Sequence, residues 1–210
     1  MAGAETIESG DANDFTARNR IFWIKSRLFI LRRLLAGFFD HQRPLGRLSL
    51  SAAAIPLAVD EHPLYSVTNP RERDLEMGKV QNLRVAAAAI DGIVLEPGDI
   101  FSFWREVGRP SRGRGYVLGR EFRLGCLIPS VGGGICQLTN ALSRVAHATG
   151  MEIIERHSHS IHPNDFFIDD QTDATVFWNY VDLRFRSRKR VRLGATLTES
   201  TLIVRLHPIA

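Results

Sequence analysis

Three consecutive glycines at 132–134 constrain this chain more than any other feature, because they stand directly before a predicted helix. Glycine adopts positive φ without strain and lets the backbone approach another group closely. The triplet brings Cys136 and Gln137 into the first turn, where unpaired N–H groups and the helix dipole favour a thiolate. We predict that Cys136 is a nucleophile or a metal ligand, with Gln137 and the same amides as oxyanion donors. A buried, inert thiol is the alternative.

Two histidines follow the helix in a segment, 153–159, that is predicted as a strand. Side chains two positions apart point to one face of a strand, so Glu155, His157 and His159 are expected to share a side. Two imidazoles about 7 Å apart along a strand converge on one ion or one substrate. Asp173, at the start of the next predicted strand, is expected to orient an imidazole by accepting its second N–H.

The same residues support two kinds of chemistry. The order of cysteine, histidine and acid along the chain is that of thiol enzymes with papain-like or transglutaminase-like architecture, which is an analogy between sites. Alternatively, Cys136, His157 and His159 bind a divalent metal such as zinc, with Asp173 as a fourth ligand or hydrogen-bonded to an imidazole. Asp182 is the weaker acid candidate, because it alternates with apolar neighbours and is expected to face solvent.

The fold class predicted from the periodicity is α+β, with two principal helices packed on a mainly antiparallel sheet. The helices are predicted at 75–90 and 136–149, and a long surface loop at 105–124. The predicted strands are 93–95, 100–104, 153–159, 173–178, 181–186, 190–198 and 202–207.

The chain is predicted to have three parts. Residues 1–17 form a disordered acidic tail, which contains Glu and Asp but no Lys or Arg. Residues 18–70 form a helical arm and a linker with one or two short strands, and residues 71–210 form the α+β domain. The helix at 18–39 is basic and amphipathic, so it either packs on the domain or contacts a membrane surface or a partner.

The net charge and the apolar pattern limit which partners and which location we expect. The formal net charge is +4, and arginines between 105 and 123 favour an anionic small-molecule or peptide-like substrate. The basic stretch 184–192 lacks interleaved aromatics that would stack on bases, so nucleic-acid binding is not expected. The first residues do not fit a secretory signal, so we expect a cytoplasmic location, peripheral to the inner membrane if 18–39 binds there.

Four stretches resemble the VanW family, named for an accessory protein of vancomycin-resistance clusters. They are Pro-Gly-Asp-Ile-Phe-Ser-Phe-Trp at 97–104, Gly-Gly-Gly-Ile-Cys-Gln-Leu-Thr-Asn at 132–140, Ile-Glu-Arg-His-Ser-His at 154–159 and Asp-Ala-Thr-Val at 173–176. The resemblance covers roughly residues 25–200 and implies a role connected with cell walls or glycopeptide resistance.

Together these observations predict a cysteine-dependent hydrolase or transferase that acts by acyl transfer or amide hydrolysis. The expected substrate is an amino acid, a peptide or a cell-wall-precursor-like molecule. A metalloenzyme using the same side chains, or a non-catalytic accessory protein, is the alternative. The predicted catalytic residues are Cys136, His157, His159, Asp173 and Gln137. The predicted substrate-binding residues are Gly132, Gly133, Gly134, Asn140 and Arg156.

Overall fold

The chain divides into two units, Met1–His41 and Gln42–Ala210. The computed structural model describes residues 27–31, 44–49, 55–65, 70–123, 126–159, 171–178 and 180–209. In the first unit, residues 27–31 are helical, and Leu28 and Leu31 are exposed. The rest of the predicted helix 18–39 and the predicted tail 1–17 lie outside the described residues. Within the described ranges, no helix has the length and apolar character needed to cross a bilayer.

The second unit is α+β, as predicted. Its helices are α1 (Arg73–Ile90), α2 (Phe103–Val107) and α3 (Cys136–Ala148), with 3-10 turns at Pro70–Glu72 and Arg112–Arg114. Its strands are β1 (Gly46–Arg47), β2 (Ala58–Pro63), β3 (Ile93–Leu95), β4 (Ile100–Ser102), β5 (Leu118–Arg123), β6 (Cys126–Val131), β7 (Glu152–Glu155), β8 (Arg184–Arg186), β9 (Val191–Leu197) and β10 (Thr201–Pro208).

The largest sheet has the order β1-β3-β9-β10-β2, and every neighbouring pair in it is antiparallel. Two of its strands, β1 and β2, come from the segment predicted as a linker. The helices α1 and α3 supply buried side chains such as Leu83 and Leu142 to the core that this sheet shares. Burying a leucine side chain stabilises the fold by about 1.5–3 kcal/mol, so this core is the main source of stability.

Two smaller sheets complete the unit. Strands β4, β8 and β7 form one, with the rings of Phe101 and Phe185 stacked 4.8 Å apart. Strands β5 and β6 form a hairpin, and Gly78 of α1 lies directly against the carbonyl of Leu118 at its start. The backbone of the hairpin therefore packs directly on α1 at this point.

The predicted surface loop at 105–124 is wrong. It contains the end of α2 and the whole of β5, and Tyr116 is buried in the core. The predicted strand 100–104 also ends early, at Ser102. The hydroxyl of Ser102 accepts a hydrogen bond from the N–H of Arg105 at 3.4 Å, so the residue caps α2 as helix N-terminal serines do.

Two predicted strands near the site are also different in the structure. Strand β7 ends at Glu155 after a register shift against β8, so residues 156–159 are not in a strand. Residues 173–176 are not in a strand either, and the following segment makes only an isolated bridge between Phe177 and Val181. This segment has no ladder of strand hydrogen bonds, and it is held instead by hydrogen bonds to the side chains of Thr139 and Asn140 on α3.

Asp182 does not face solvent as expected. It is 2% exposed, and its carboxylate accepts hydrogen bonds from the hydroxyl of Ser102 at 2.7 Å and from the N–H of Trp104 at 3.1 Å. A buried carboxylate needs such donors because it has lost its hydration. Asp182 therefore ties the segment before β8 to the start of α2.

Candidate active site

The glycine loop between β6 and α3 is built by close backbone packing. Gly132 and Gly134 have φ values of 85° and 93°, which only glycine adopts without strain. A Cβ on Gly133 would overlap the carbonyl oxygen of Gly119, and a Cβ on Gly134 would overlap the side chain of Lys79. The three glycines are therefore needed for the loop to lie on α1 and the β5–β6 hairpin.

Asn82 of α1 is the side chain that fixes this loop. It is fully buried, and its Nδ2 donates to the carbonyl oxygens of Gly133 and Val117, each at 3.0 Å. Its Oδ1 accepts from the N–H of Val117 at 2.9 Å. One amide thus bonds three backbone groups and holds the loop against β5. Asn82 was not predicted from the sequence, although a polar residue within the buried face of a helix is a detectable signal.

A buried group of charges lies behind the same loop. The Nζ of Lys79 is 3.7 Å from Oε1 of Glu76, and the same oxygen is 3.7 Å from Nη1 of Arg120. Burial lowers the pKa of Lys79, while the neighbouring Glu76 carboxylate opposes that change. The aliphatic stem of Lys79 packs on Gly134, so these charges support the loop from the α1 side.

Cys136 is the first residue of α3 and is partly exposed. Its Sγ is 3.7 Å from Oγ1 of Thr175 and 3.9 Å from the carbonyl oxygen of Val176. The N-cap residue of α3 is Ile135, which has no side chain able to bond the first-turn amides. The N–H groups of the next three residues, 137–139, already donate to the carbonyl oxygens of Gly134 and Ile135 at 2.9–3.4 Å. The N-terminal end of the helix dipole still places positive partial charge near the thiol.

His159 connects Cys136 to Asp173. Its Nδ1 is 2.8 Å from Oδ1 of Asp173, and its backbone N–H donates to Oδ2 at 2.6 Å. Asp173 is completely buried, so its carboxylate depends on these donors. The hydrogen bond to Asp173, followed by one to Cys136, raises the pKa of His159 to about 10 from the ordinary 6.5, against the opposing effect of burial. Because Nδ1 is engaged by Asp173, Nε2 is the ring nitrogen left for Cys136.

The acid is positioned by the predicted substrate-binding residues Asn140 and Arg156. The Oδ1 of Asn140 accepts from the N–H of Ala174 at 2.7 Å, and Nη1 of Arg156 donates to the carbonyl oxygen of Asp173 at 2.6 Å. Thr139 adds a hydrogen bond from its hydroxyl to the carbonyl oxygen of Ala174 at 2.5 Å. These contacts are all with the chain itself, and direct contact of Asn140 or Arg156 with a substrate stays a prediction.

Neither His157 nor Gln137 makes the contacts with Asp173 that His159 makes in the described structure. The side chain of His157 is 51% exposed, with Nε2 3.5 Å from Oε1 of Glu155, whereas that of His159 is 16% exposed. The two rings lose their shared face because β7 ends before them. The Nε2 of Gln137 donates to the carbonyl oxygen of Pro63 at 2.8 Å, which ties α3 to the end of β2. Its role as an oxyanion donor stays a prediction.

Metal ligation was the alternative use of these side chains. Considering only the described part of the chain, no three His, Cys, Asp or Glu side chains are grouped in a way that could hold a metal ion. The exposed position of His157 agrees with that finding. In the described residues, the thiol of Cys136 contacts the imidazole of His159, which contacts the carboxylate of Asp173.

Residues 78–207 match the family described as VanW like protein, which is more than half of the chain. The chain is 34% identical over 128 residues to the Vancomycin B-type resistance protein VanW of Enterococcus faecalis (strain ATCC 700802 / V583), covering 59% of this chain and 46% of that protein. It is 36% identical over 107 residues to the uncharacterized protein YoaR of Bacillus subtilis (strain 168), covering 51% of this chain and 35% of that one. The matched region thus spans less than half of either relative. No solved structure matches the chain.

Proposed function

The chain belongs to the VanW family, and we propose that it is a cysteine-dependent enzyme that cleaves or transfers an acyl group. Cys136 is the nucleophile, His159 carries the proton and Asp173 orients the imidazole. The observation that supports this assignment is the position of His159, which is hydrogen-bonded to the thiol on one side and to a buried carboxylate on the other. Nucleophile, base and orienting acid in series are typical of covalent acyl transfer.

The charge state of the resting site follows from the raised pKa of His159. With that pKa at about 10, the imidazole is protonated near neutrality. We propose that the positive charge on His159 and the N-terminal dipole of α3 favour a thiolate at Cys136 as the attacking species.

Acylation begins when the Cys136 sulfur forms a bond to the carbonyl carbon of the substrate. The carbonyl electron pair moves to oxygen, and the donor that we propose for that oxyanion is the N–H of Cys136 at the start of α3. Collapse of the tetrahedral intermediate breaks the bond to the leaving amine, which takes the proton from Nε2 of His159. The products are a thioester on Cys136, a neutral His159 and a free amine.

Deacylation reverses the roles of the two groups. Neutral His159 accepts a proton from water, or from an acceptor amine or alcohol, as its oxygen or nitrogen attacks the thioester carbonyl. Loss of the Cys136 thiolate releases a carboxylic acid, or the transferred acyl product, and regenerates the imidazolium. Asp173 keeps Nδ1 protonated throughout, so that Nε2 always faces the sulfur.

The substrate class that we propose is an amino-acid or peptide amide of the cell-wall-precursor type. The E. faecalis relative is named as a resistance protein, and peptide-like precursors carry the amide bonds that a thiol enzyme cleaves. The location proposed for this chain is the cytoplasm, at the inner membrane if the basic amphipathic segment 18–39 binds there.

The test combines thiol reactivity with hydrolysis. Wild type, Cys136→Ala and His159→Ala are incubated with iodoacetamide at neutral pH, and alkylation is followed by intact mass. In parallel, a panel of N-acyl amino-acid amides and cell-wall stem peptides is assayed for release of amine. We expect faster alkylation of Cys136 than of a free model thiol, and a loss of hydrolysis of about 10²-fold or more in either variant. Unfolding midpoints establish that both variants fold.

Two further variants separate the alternatives. His147→Ala removes an exposed histidine near the other end of α3 and should leave alkylation and hydrolysis at the wild-type level. His157→Ala should lower hydrolysis far less than His159→Ala, whereas a site with Cys136, His157 and His159 as ligands would lose activity equally in both. Full hydrolysis in Cys136→Ala, or alkylation no faster than that of the model thiol, would overturn the assignment.

A further inference from the structure

A hydroxyl lies beside the proposed nucleophile and takes no part in the steps above. Oγ1 of Thr175 is 3.7 Å from Sγ of Cys136, within the longer range of hydrogen bonds to sulfur. The third neighbour of the sulfur is the carbonyl oxygen of Val176 at 3.9 Å. The carbonyl can only accept, so it favours the protonated thiol. The hydroxyl can accept a hydrogen bond from a thiol and donate one to a thiolate, so it can bond the sulfur in either protonation state.

The position of Thr175 is fixed from two sides. Its own N–H donates to the carbonyl oxygen of His157 at 2.8 Å, and the preceding residue, Ala174, is bonded to α3 through Asn140 and Thr139. The segment is therefore tied both to the helix that bears Cys136 and to the loop that bears His159. A β-branched side chain on such a backbone has few rotamers, so the hydroxyl stays near the sulfur.

We infer that Thr175 donates a hydrogen bond from its hydroxyl to the Cys136 thiolate and is a fourth functional residue of the site. This inference rests on the proposed function. It adds a neutral donor to the charged one, His159, on the same sulfur. When the thiolate attacks, its negative charge passes to the substrate and the hydrogen bond to sulfur is no longer needed. When the thioester breaks, negative charge returns to the sulfur, and the hydroxyl is already in place to donate to it. The donor thus favours thiolate as both starting state and leaving group.

The experiment compares Thr175→Val, which keeps the shape and removes the hydroxyl, with Thr175→Ser, which keeps the hydroxyl. The second-order rate of iodoacetamide alkylation is measured across a pH series for wild type and both variants. Hydrogen bonds to charged groups are stronger than those to neutral groups, so we expect Thr175→Val to react about tenfold more slowly on the acidic limb of the profile. The two profiles should converge at high pH, where every thiol is ionised. Thr175→Ser should follow wild type.

A matched control separates this effect from general destabilisation. Thr149→Val removes another threonine hydroxyl, one that donates to the carbonyl oxygen of Val145 at the far end of α3, and should leave the alkylation profile unchanged. If Thr175→Val does not fold, Thr175→Ala tests the same expectation, because it too removes the hydroxyl.

The outcomes distinguish this inference from the proposed function. Rapid, His159-dependent alkylation in wild type together with an unchanged profile in Thr175→Val would overturn the role of Thr175 and leave the nucleophile in place. A uniform slowing at every pH in both Thr175→Val and Thr175→Ser would also overturn it, because packing and not the hydroxyl would then be responsible. Wild-type alkylation no faster than that of a model thiol would overturn the proposed function and the role of Thr175 with it.

Discussion

At the scale of single residues, His159 carries the most information about this protein. Its ring and its own backbone N–H both bond the same buried carboxylate, so Asp173 sets the orientation of the loop as well as of the imidazole. The second contact, with Cys136, is the reason for the catalytic role that we propose for this pair. An orienting carboxylate with no exposure to solvent keeps its effect at physiological ionic strength.

The raised pKa of His159 predicts a pH dependence of stability. A group whose pKa is higher in the folded state contributes stability that is fully present below its unfolded value, here 6.5, and is lost as the pH rises through about 10. The free energy of unfolding of wild type should therefore exceed that of His159→Gln most at about pH 6. The difference should shrink as the pH approaches 10. Denaturant titrations at a series of pH values measure it.

His147→Gln is the control for that series, because it removes an exposed imidazole from α3 without touching Asp173. Its difference from wild type should vary little between the same pH limits. A difference between wild type and His159→Gln that stays constant up to pH 10 would contradict the ion pair of His159 with Asp173.

At the scale of elements, the site depends on how α1 supports the start of α3. The glycine loop has no side chains of its own, so its position is set by what it packs against. Asn82 bonds the loop and β5 together, and the stem of Lys79 fills the space in front of Gly134. Cys136 thus lies on α3, and the loop before it is positioned by α1.

Asn82→Ala should destabilise the protein by about 2 kcal/mol or more. The change leaves the carbonyl of Gly133 and the N–H of Val117 without their partner, and each such group costs about 1–3 kcal/mol. The carbonyl of Val117 keeps its hydrogen bond from the N–H of Gly132 at 3.1 Å. Gln81→Ala, one position earlier on α1, removes two solvent-exposed hydrogen bonds, one to the carbonyl oxygen of Gly115 at 3.4 Å and one from Nη1 of Arg84 at 3.2 Å. It should stay within about 0.5 kcal/mol of wild type. Urea unfolding distinguishes the two variants, and equal stabilities would disprove the role of Asn82 in holding the loop.

At the scale of the whole molecule, the N-terminal segment of the second unit supplies both edge strands of the large sheet, β1 and β2. Strand β2 pairs with β10 over six residues, from Thr201 opposite Pro63 to Leu206 opposite Ala58. Side chains such as Leu202 and Leu206 on β10 are fully buried. Residues before the α1 helix are therefore part of the same core as α3, which also contacts β2 through Gln137.

This arrangement predicts where the chain tolerates truncation. Removal of residues 1–41 leaves every strand and the buried core of the second unit in place, so cooperative unfolding should be kept with a midpoint close to that of the full chain. Removal of residues 1–63 takes away β1 and β2 and exposes one edge of β10. It should lower the midpoint by more than 10 °C or abolish folding, since about 1 kcal/mol shifts Tm by several degrees in a unit of this size. Calorimetry of both forms measures the effect, and equal midpoints would contradict it.

Much of the fold was predictable because it is encoded locally. Helix α1, the short strand β3 and the hairpin β9–β10 have apolar periodicity and turn residues within a few positions of one another. Helix α3 and its glycine-led start were predictable for the same reason, and Cys136 with them. The class of the fold, α+β, follows from these elements.

Which side chains meet at Cys136 was decided by tertiary contacts. A period of two assigns faces only while a strand continues, and β7 ends at Glu155, so the sequence could not separate His159 from His157. The segment that bears Asp173 and Thr175 is held by hydrogen bonds to Asn140, far away along the chain, and no local pattern encodes such bonds. The sequence by itself determined the nucleophile candidate and the helix that presents it. The tertiary structure selected its imidazole, its acid and its neighbouring hydroxyl, because long-range packing alone brings distant segments to one sulfur.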